Sequence, residues 1–156
     1  MLRSQLPSIP FTKEAYEKLK AEHYRLTKLR EEVVIRLTTA REMGDLSENG
    51  AYRYAKQELG DIGRQLRQIN YQLKFGHVVT KTSTDGVIDF GSLVTIENTN
   101  RSLTFMLVSE FESNPAENKL STDSPIGRAV LGKKVGDTVI IKLPNGEITY
   151  TIRTVS

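Results

Sequence analysis

The stretch "YRYAKQELGDIGRQLRQINYQLKF", residues 52–75, carries Tyr52, Ala55, Leu59, Ile62, Leu66, Ile69 and Leu73 at alternating steps of three and four. That spacing returns an apolar side chain to one helix face every 3.5 residues on average, which is the seam of a coiled coil. A seam needs a partner, and the preceding segment supplies one. From Thr12 to about Glu42, Leu19, Leu26, Val33 and Ala40 recur every seven residues, with Ala15, Leu29 and Leu37 between them and no proline or glycine in the span. Thr12 is of the residue type that caps a helix start. Two such helices joined by a few residues cover each other's stripes only when antiparallel. Roughly thirty residues per helix predict a hairpin about 45 Å long. Gly50, Gly60 and Gly63 fall off the seam, where each interior glycine costs about 1 kcal/mol relative to alanine. The pattern offers no reason for them.

After Phe75-Gly76 the period changes. "SLVTIEN" and "LTFMLVSE" (92–98 and 103–110) read as strands rich in β-branched and aromatic residues, joined by an "NTNR" turn. "DTVIIKL" and "EITYTIRTV" flank Pro144-Asn145-Gly146, a hairpin signal. Between these pairs "DSPIGRAVLG" (123–132) predicts a short helix capped by Ser124, opened by Pro125 and ended by Gly132. The expected fold class is therefore α plus α+β. A coiled-coil hairpin spans residues 1–79, a polar linker 80–86, and a small antiparallel-sheet domain with one short helix 87–156.

Composition narrows the class further. The 156 residues are 38% hydrophobic and 26% charged, which suits a folded chain. No apolar run is long enough to span a membrane. Pro7 and Pro10 break any signal-peptide pattern, so a cytoplasmic location is expected. With no cysteine, disulfide frameworks and thiolate metal sites are excluded. The net charge is +3, but residues 1–76 hold fourteen Lys/Arg against ten Asp/Glu, while residues 77–156 hold eight against nine. Attraction to nucleic acid is thus expected in the first half.

The turn of the hairpin, "AREMGDLSENGAYRYAK" (40–56), is acidic where the stripe should continue. Carried backwards from Tyr52 by the same steps, the seam meets Glu48 and Asp45. Their spacing also fits a capping box, and acids favour a helix start by typically 0.3–1 kcal/mol each. Two carboxylates alone hold Mg²⁺ poorly, because that ion keeps several waters and is usually bound together with substrate phosphates. The tip is at most half of a metal site, to be completed by another molecule.

This tip, followed by "DSPIGRAVLGKKVGDTVIIKLPNGEITYTI", closely resembles the GreA/GreB transcript-cleavage factors of bacterial RNA polymerase across residues 11–156. The resemblance implies an N-terminal coiled coil and a C-terminal domain similar in fold to FK506-binding proteins. It implies a factor that is not itself an enzyme, acting as a monomer in the working complex. The coiled coil enters the secondary channel of a backtracked polymerase and stimulates Mg²⁺-dependent cleavage of the nascent RNA 3′ end. By motif, Asp45 and Glu48 are the catalytic pair that shares Mg²⁺ with the polymerase. Gly44, Leu46, Ser47 and Asn49 support the tip, and Asp123, Ser124 and Pro125 dock on the rim coiled coil of the largest subunit. Two departures stand out: Gly50-Ala51-Tyr52 where the family often has Ala-Glu-Tyr, and Arg30-Glu31 where an Arg-Pro often bends the first helix. A channel-plugging inhibitor of the same shape, or a coiled-coil adaptor unrelated to transcription, is the competing expectation.

Smaller signals complete the inventory. Arg53, Lys56, Arg64 and Arg67 lie off the second seam as a candidate RNA-facing strip. Tyr52 and Tyr54 are candidates for stacking on a displaced base, although Tyr52 also belongs to the seam. His23 and His77 lack a neighbouring second ligand. Prolyl isomerisation needs an apolar aromatic pocket, for which the second half offers only Phe90, Phe105, Phe111 and Tyr150.

Overall fold

The computed structural model describes residues 6–44, 49–80 and 85–156. The chain forms two compact units, one of residues 1–8 and 16–76, the other of residues 9–15 and 77–156.

In the first unit helix α1 spans Lys13–Glu42 and helix α2 spans Gly50–Phe75. Their apolar core is the pair of heptad series read from the sequence. Leu26, Val33 and Ala40 on α1, and Ala55, Ile62 and Ile69 on α2, are buried, flanked by half-buried Leu19, Leu29, Leu37, Leu59, Leu66 and Leu73. Each buried aliphatic side chain of this size contributes roughly 1.5–3 kcal/mol, and the seven-residue return places them one above another. An ion pair between Arg36 on α1 and Glu58 on α2, 3.0 Å long, ties the register of the two helices. Toward the turn the seam narrows to alanine on both helices, Ala40 and Ala55.

The second unit is built on a five-stranded sheet in the order β5-β4-β3-β7-β6. Its strands are β3 (Leu93–Glu97), β4 (Ser102–Val108), β5 (Lys119–Ser121), β6 (Thr138–Leu143) and β7 (Gly146–Val155). β3 and β4 pair antiparallel with Thr95 opposite Thr104. The Asn98 side chain closes their turn by accepting from the backbone N–H groups of Asn100 and Arg101. β6 and β7 form the expected hairpin, with Leu143 opposite Gly146 at φ +135°. Alternate side chains of β3, β4, β6 and β7, namely Val94, Ile96, Phe105, Leu107, Ile141 and Ile152, point into one core with Val130 of helix α3 (Pro125–Val130).

Two expectations need correction. The sheet is mixed rather than purely antiparallel, because β5 runs parallel to β4 on its free edge. Residues 109–118, which contain a single 3₁₀ turn at Pro115–Glu117, carry the chain back to the start of that edge. A parallel neighbour requires such a crossover. The boundary at residue 79 also moves. Strand β1 (Ile9–Phe11) pairs with β2 (Gly76–Val78), and Ile9 and Phe11 are buried. Phe11 lies 6.3 Å from Phe111, centroid to centroid. Thr12 caps α1 by accepting from the Ala15 N–H at 3.2 Å. Its own N–H and hydroxyl both donate to the Glu112 carboxylate, at 2.9 and 2.7 Å. Residues 9–15 and 77–79 therefore belong with the C-terminal unit. Of the expected linker 80–86, residues 81–84 lie outside the described residues, and by Val87 the chain already bridges to Lys134.

Helix α3 begins as its sequence predicts. Ser124 accepts from the Gly127 N–H at 3.0 Å and donates to the Ser121 carbonyl at 2.6 Å. Pro125 occupies the first turn, and Gly132 follows the last at φ +80°. Gly127 is a close-approach glycine, since a Cβ there would stand 2.1 Å from the Ser121 carbonyl oxygen. Gly127→Ala is accordingly expected to destabilise the protein by about 1–3 kcal/mol through overpacking against backbone. Gly63, in the interior of α2, has no atom within 4 Å of a would-be Cβ. Gly63→Ala should therefore stabilise by roughly 0.5–1 kcal/mol. Urea unfolding of the two variants beside the parent chain measures both shifts, which should have opposite signs.

Candidate functional site

The hairpin turn is organised by Asn49. Its side-chain Oδ1 accepts from the Tyr52 N–H at 3.1 Å, capping α2, and its Nδ2 donates to the Ala40 carbonyl of α1 at 2.6 Å. One amide thus satisfies a free donor at the start of one helix and an acceptor near the end of the other. Its backbone is extended, with φ −83° and ψ 96°. The regular helix of α2 therefore begins after it, and its seam is observed from Tyr52 onward. The cap of α2 is Asn49, with Gly50 as the first helical residue. Gly50 thus has a place, at a helix start rather than in an interior. Asp45, Leu46, Ser47 and Glu48 lie outside the described residues. Gly44 precedes them at φ +133°, a conformation that favours glycine.

Behind the turn, the Arg41 guanidinium lies 5.8 Å from the centroid of the Tyr52 ring. Tyr52 is half-buried, as its seam position requires, whereas Tyr54 is exposed. Tyr54, Ile35 and Met43 line an open cleft of about 310 Å³ with Arg36, Ala40 and Ala55. The hydrogen bond from Arg36 to Glu58 raises the Arg36 pKa above its already high ordinary value, so this arginine keeps its charge beside the apolar cleft.

Arg53, Lys56, Arg64 and Arg67 are all exposed on α2. At about 100° per residue they fall within one narrow arc, opposite the buried Ala55, Ile62 and Ile69. Arg64 is paired with Asp61 one turn back. The same arc continues to Lys74, which the sequence reading left out. Extending the steps of three and four beyond Arg67 is the signal that finds it. Both acids of α2, Glu58 and Asp61, lie outside this arc, so the face carries one sign of charge along about 31 Å.

In the second unit Asp123, Ser124 and Pro125 sit on the tight turn between β5 and α3. The Asp123 N–H donates to the Ser121 hydroxyl at 3.0 Å, and Asp123 and Pro125 are exposed. Phe105 and Tyr150 are core residues, only 2% and 3% exposed, and are not free to line a prolyl pocket. His23 and His77 belong to different units. Among the described residues, no three His, Asp or Glu side chains converge on a metal position, and no helix is long and apolar enough to cross a membrane.

Comparison with known proteins agrees across both units. A family profile described as "Transcription elongation factor, N-terminal" matches residues 9–78, and one described as "Transcription elongation factor, GreA/GreB, C-term" matches residues 82–156. Transcription elongation factor GreA of Thermosipho africanus is 44% identical over 148 residues, covering 93% of this chain and 94% of that protein. The protein of the same name from Maridesulfovibrio salexigens is 37% identical over 150 residues, covering 94% of each. Among solved structures, the GreA factor homolog 1 (Gfh1) protein of Thermus thermophilus aligns over 96% of this chain and 99% of that one, at 27% identity and a TM-score of 0.46.

The two bonds of Asn49 make separable predictions. Asn49→Ala removes both and should cost about 1–2 kcal/mol. Asn49→Asp keeps the cap but sets a carboxylate against the Ala40 carbonyl, so it should recover helix capping without the link to α1. Thermal unfolding followed by circular dichroism, with hydrogen exchange at Tyr52 and Arg53, distinguishes the two variants.

Proposed function

Because this chain belongs to the GreA/GreB family of transcription elongation factors, we propose that it acts on backtracked bacterial RNA polymerase. In this reading the coiled-coil hairpin enters the secondary channel and presents its turn to the polymerase active site. The observation that supports it most directly is the double bond of Asn49. It joins the last turn of α1 to the first turn of α2 at the end of the hairpin where the sequence carries its acidic motif.

The donor set suits a shared Mg²⁺. Two carboxylates three residues apart supply charge but no closed shell, and a hard cation of this kind takes oxygen ligands and keeps waters. Asp45 and Glu48 would hold the ion jointly with polymerase carboxylates. When bound, it lowers the pKa of a water that can attack a phosphodiester. This chain's own contribution is to carry the acids in and to hold the extruded RNA. Arg53, Lys56, Arg64, Arg67 and Lys74 neutralise phosphates without selecting sequence. Asp123, Ser124 and Pro125 dock the second unit on the rim coiled coil of the largest subunit. The factor is then no enzyme alone, and its place of work is the cytoplasm.

The test is a backtracked elongation complex supplied with Mg²⁺. The parent chain should release a short 3′ fragment and restart synthesis. Asp45→Asn and Glu48→Gln should bind core polymerase as the parent does, yet leave cleavage at the rate seen without any factor. Cleavage at the parental rate by both variants would remove these acids from the mechanism. Uncut transcript with slowed elongation in the presence of the parent chain would instead assign the channel-plugging activity.

A further inference from the structure

Gly60 and Tyr71 lie on the cationic face of α2, and the charge reading accounts for neither. At about 100° per residue both fall inside the arc of Arg53, Lys56, Arg64, Arg67 and Lys74. Gly60 occupies the middle of the gap between the pair Arg53/Lys56 and the pair Arg64/Arg67, about 6 Å along the axis from the nearer member of each. It is exposed, and a Cβ there would meet only the Arg64 guanidinium, at 3.6 Å. Neither packing nor backbone conformation calls for glycine at this position, where helix propensity argues against it. What glycine does provide is a low floor in the cationic strip, with the Arg64 guanidinium lying close against it. Tyr71 lies beyond Arg67 and before Lys74. The residue is 46% exposed, and its ring is set T-shaped against that of Phe75, with centroids 4.9 Å apart and planes at 61°. The tyrosine is therefore packed against Phe75 on one side while close to half of it stays open to solvent.

Cations, a bare backbone floor and a partly exposed aromatic ring on one face match a single-stranded nucleic acid. Phosphates meet the arginines and an unpaired base meets the ring. An acidic protein surface would use the charges but has no need of the ring or the floor.

We infer that Tyr71 is a stacking platform for an unpaired base of single-stranded RNA, and that Gly60 lets the RNA backbone approach the helix between the two cation pairs. The inference rests on the function proposed above and adds to it a grip well away from the tip. It gives the extruded RNA a second point of attachment, about 27 Å from Arg53 along α2.

The test uses the full chain and a fluorescein-labelled oligoadenylate, followed by anisotropy at low salt. Tyr71→Leu should weaken binding about tenfold, the loss of one stacked base, while Tyr71→Phe should bind within about twofold of the parent. Gly60→Ala should raise the thermal midpoint and yet weaken binding by about threefold. Circular dichroism confirms that each variant keeps its helix content. Parental affinity in Tyr71→Leu, or equal losses in the Leu and Phe variants, would overturn the stacking role. Parental affinity in Gly60→Ala would overturn the floor. Unchanged oligonucleotide binding with weakened retention on core polymerase would give the face to a protein partner and overturn both. Asp45→Asn should bind oligoadenylate as the parent does, so failure of this grip and failure of the tip chemistry are read separately.

Discussion

The carbonyl of Ala40, which also accepts from the Met43 N–H at 3.2 Å, and the N–H of Tyr52, in the first turn of α2, belong to opposite helix ends. Asn49 answers both with one side chain. Where the amide is fixed, the last turn of α1 and the first turn of α2 are fixed too, and the seam closes down to the alanines at its narrow end. Without that link the intervening residues would connect two frayed helices. The alanine pair at the tip end of the seam serves the same purpose, since small side chains let the backbones come close enough for a single amide to span them.

Much of this was legible because the signals are periodic. Six faultless steps along α2 announced the seam, and the buried positions coincide with it. The Ser124 cap, the Pro125 start, the Gly132 stop and the Pro144-Asn145 turn were readable because each depends on a neighbour a few residues away. The parts that were misread depend on distant partners. Nothing within "SIPF" says that Ile9 and Phe11 will pair with residues beyond 75, or that Thr12 will find Glu112 a hundred positions later. The parallel edge strand β5 is only three residues long, too short to show its direction in any pattern. At the turn the reading was incomplete in another way: Asn49 was placed in the tip but not recognised as the cap of α2.

The charge on α2 shows a related point. A mild excess of cations in the first half of the chain says little by itself. Its meaning comes from the helix, which turns scattered residues into one uninterrupted face and moves the two acids to its flanks. Gly60 gained a meaning the same way. In the linear sequence it is a weak residue in a strong helix; on the folded surface it lies at the centre of the cationic strip.

The embrace of Thr12 by Glu112 has a consequence for how the protein is made. The first strand can pair with residues 76–78 once these are made, but Phe11 and Thr12 meet Phe111 and Glu112 only after about a hundred further residues have been synthesised. The helical hairpin is complete in sequence well before that and can zip up on local contacts alone, as helical segments do quickly. The C-terminal unit then finishes its own fold by closing Phe111 and Glu112 onto Phe11 and Thr12. A nascent polypeptide halted between residues 80 and 110 would thus display a closed hairpin whose Phe11 and Thr12 still lack Phe111 and Glu112.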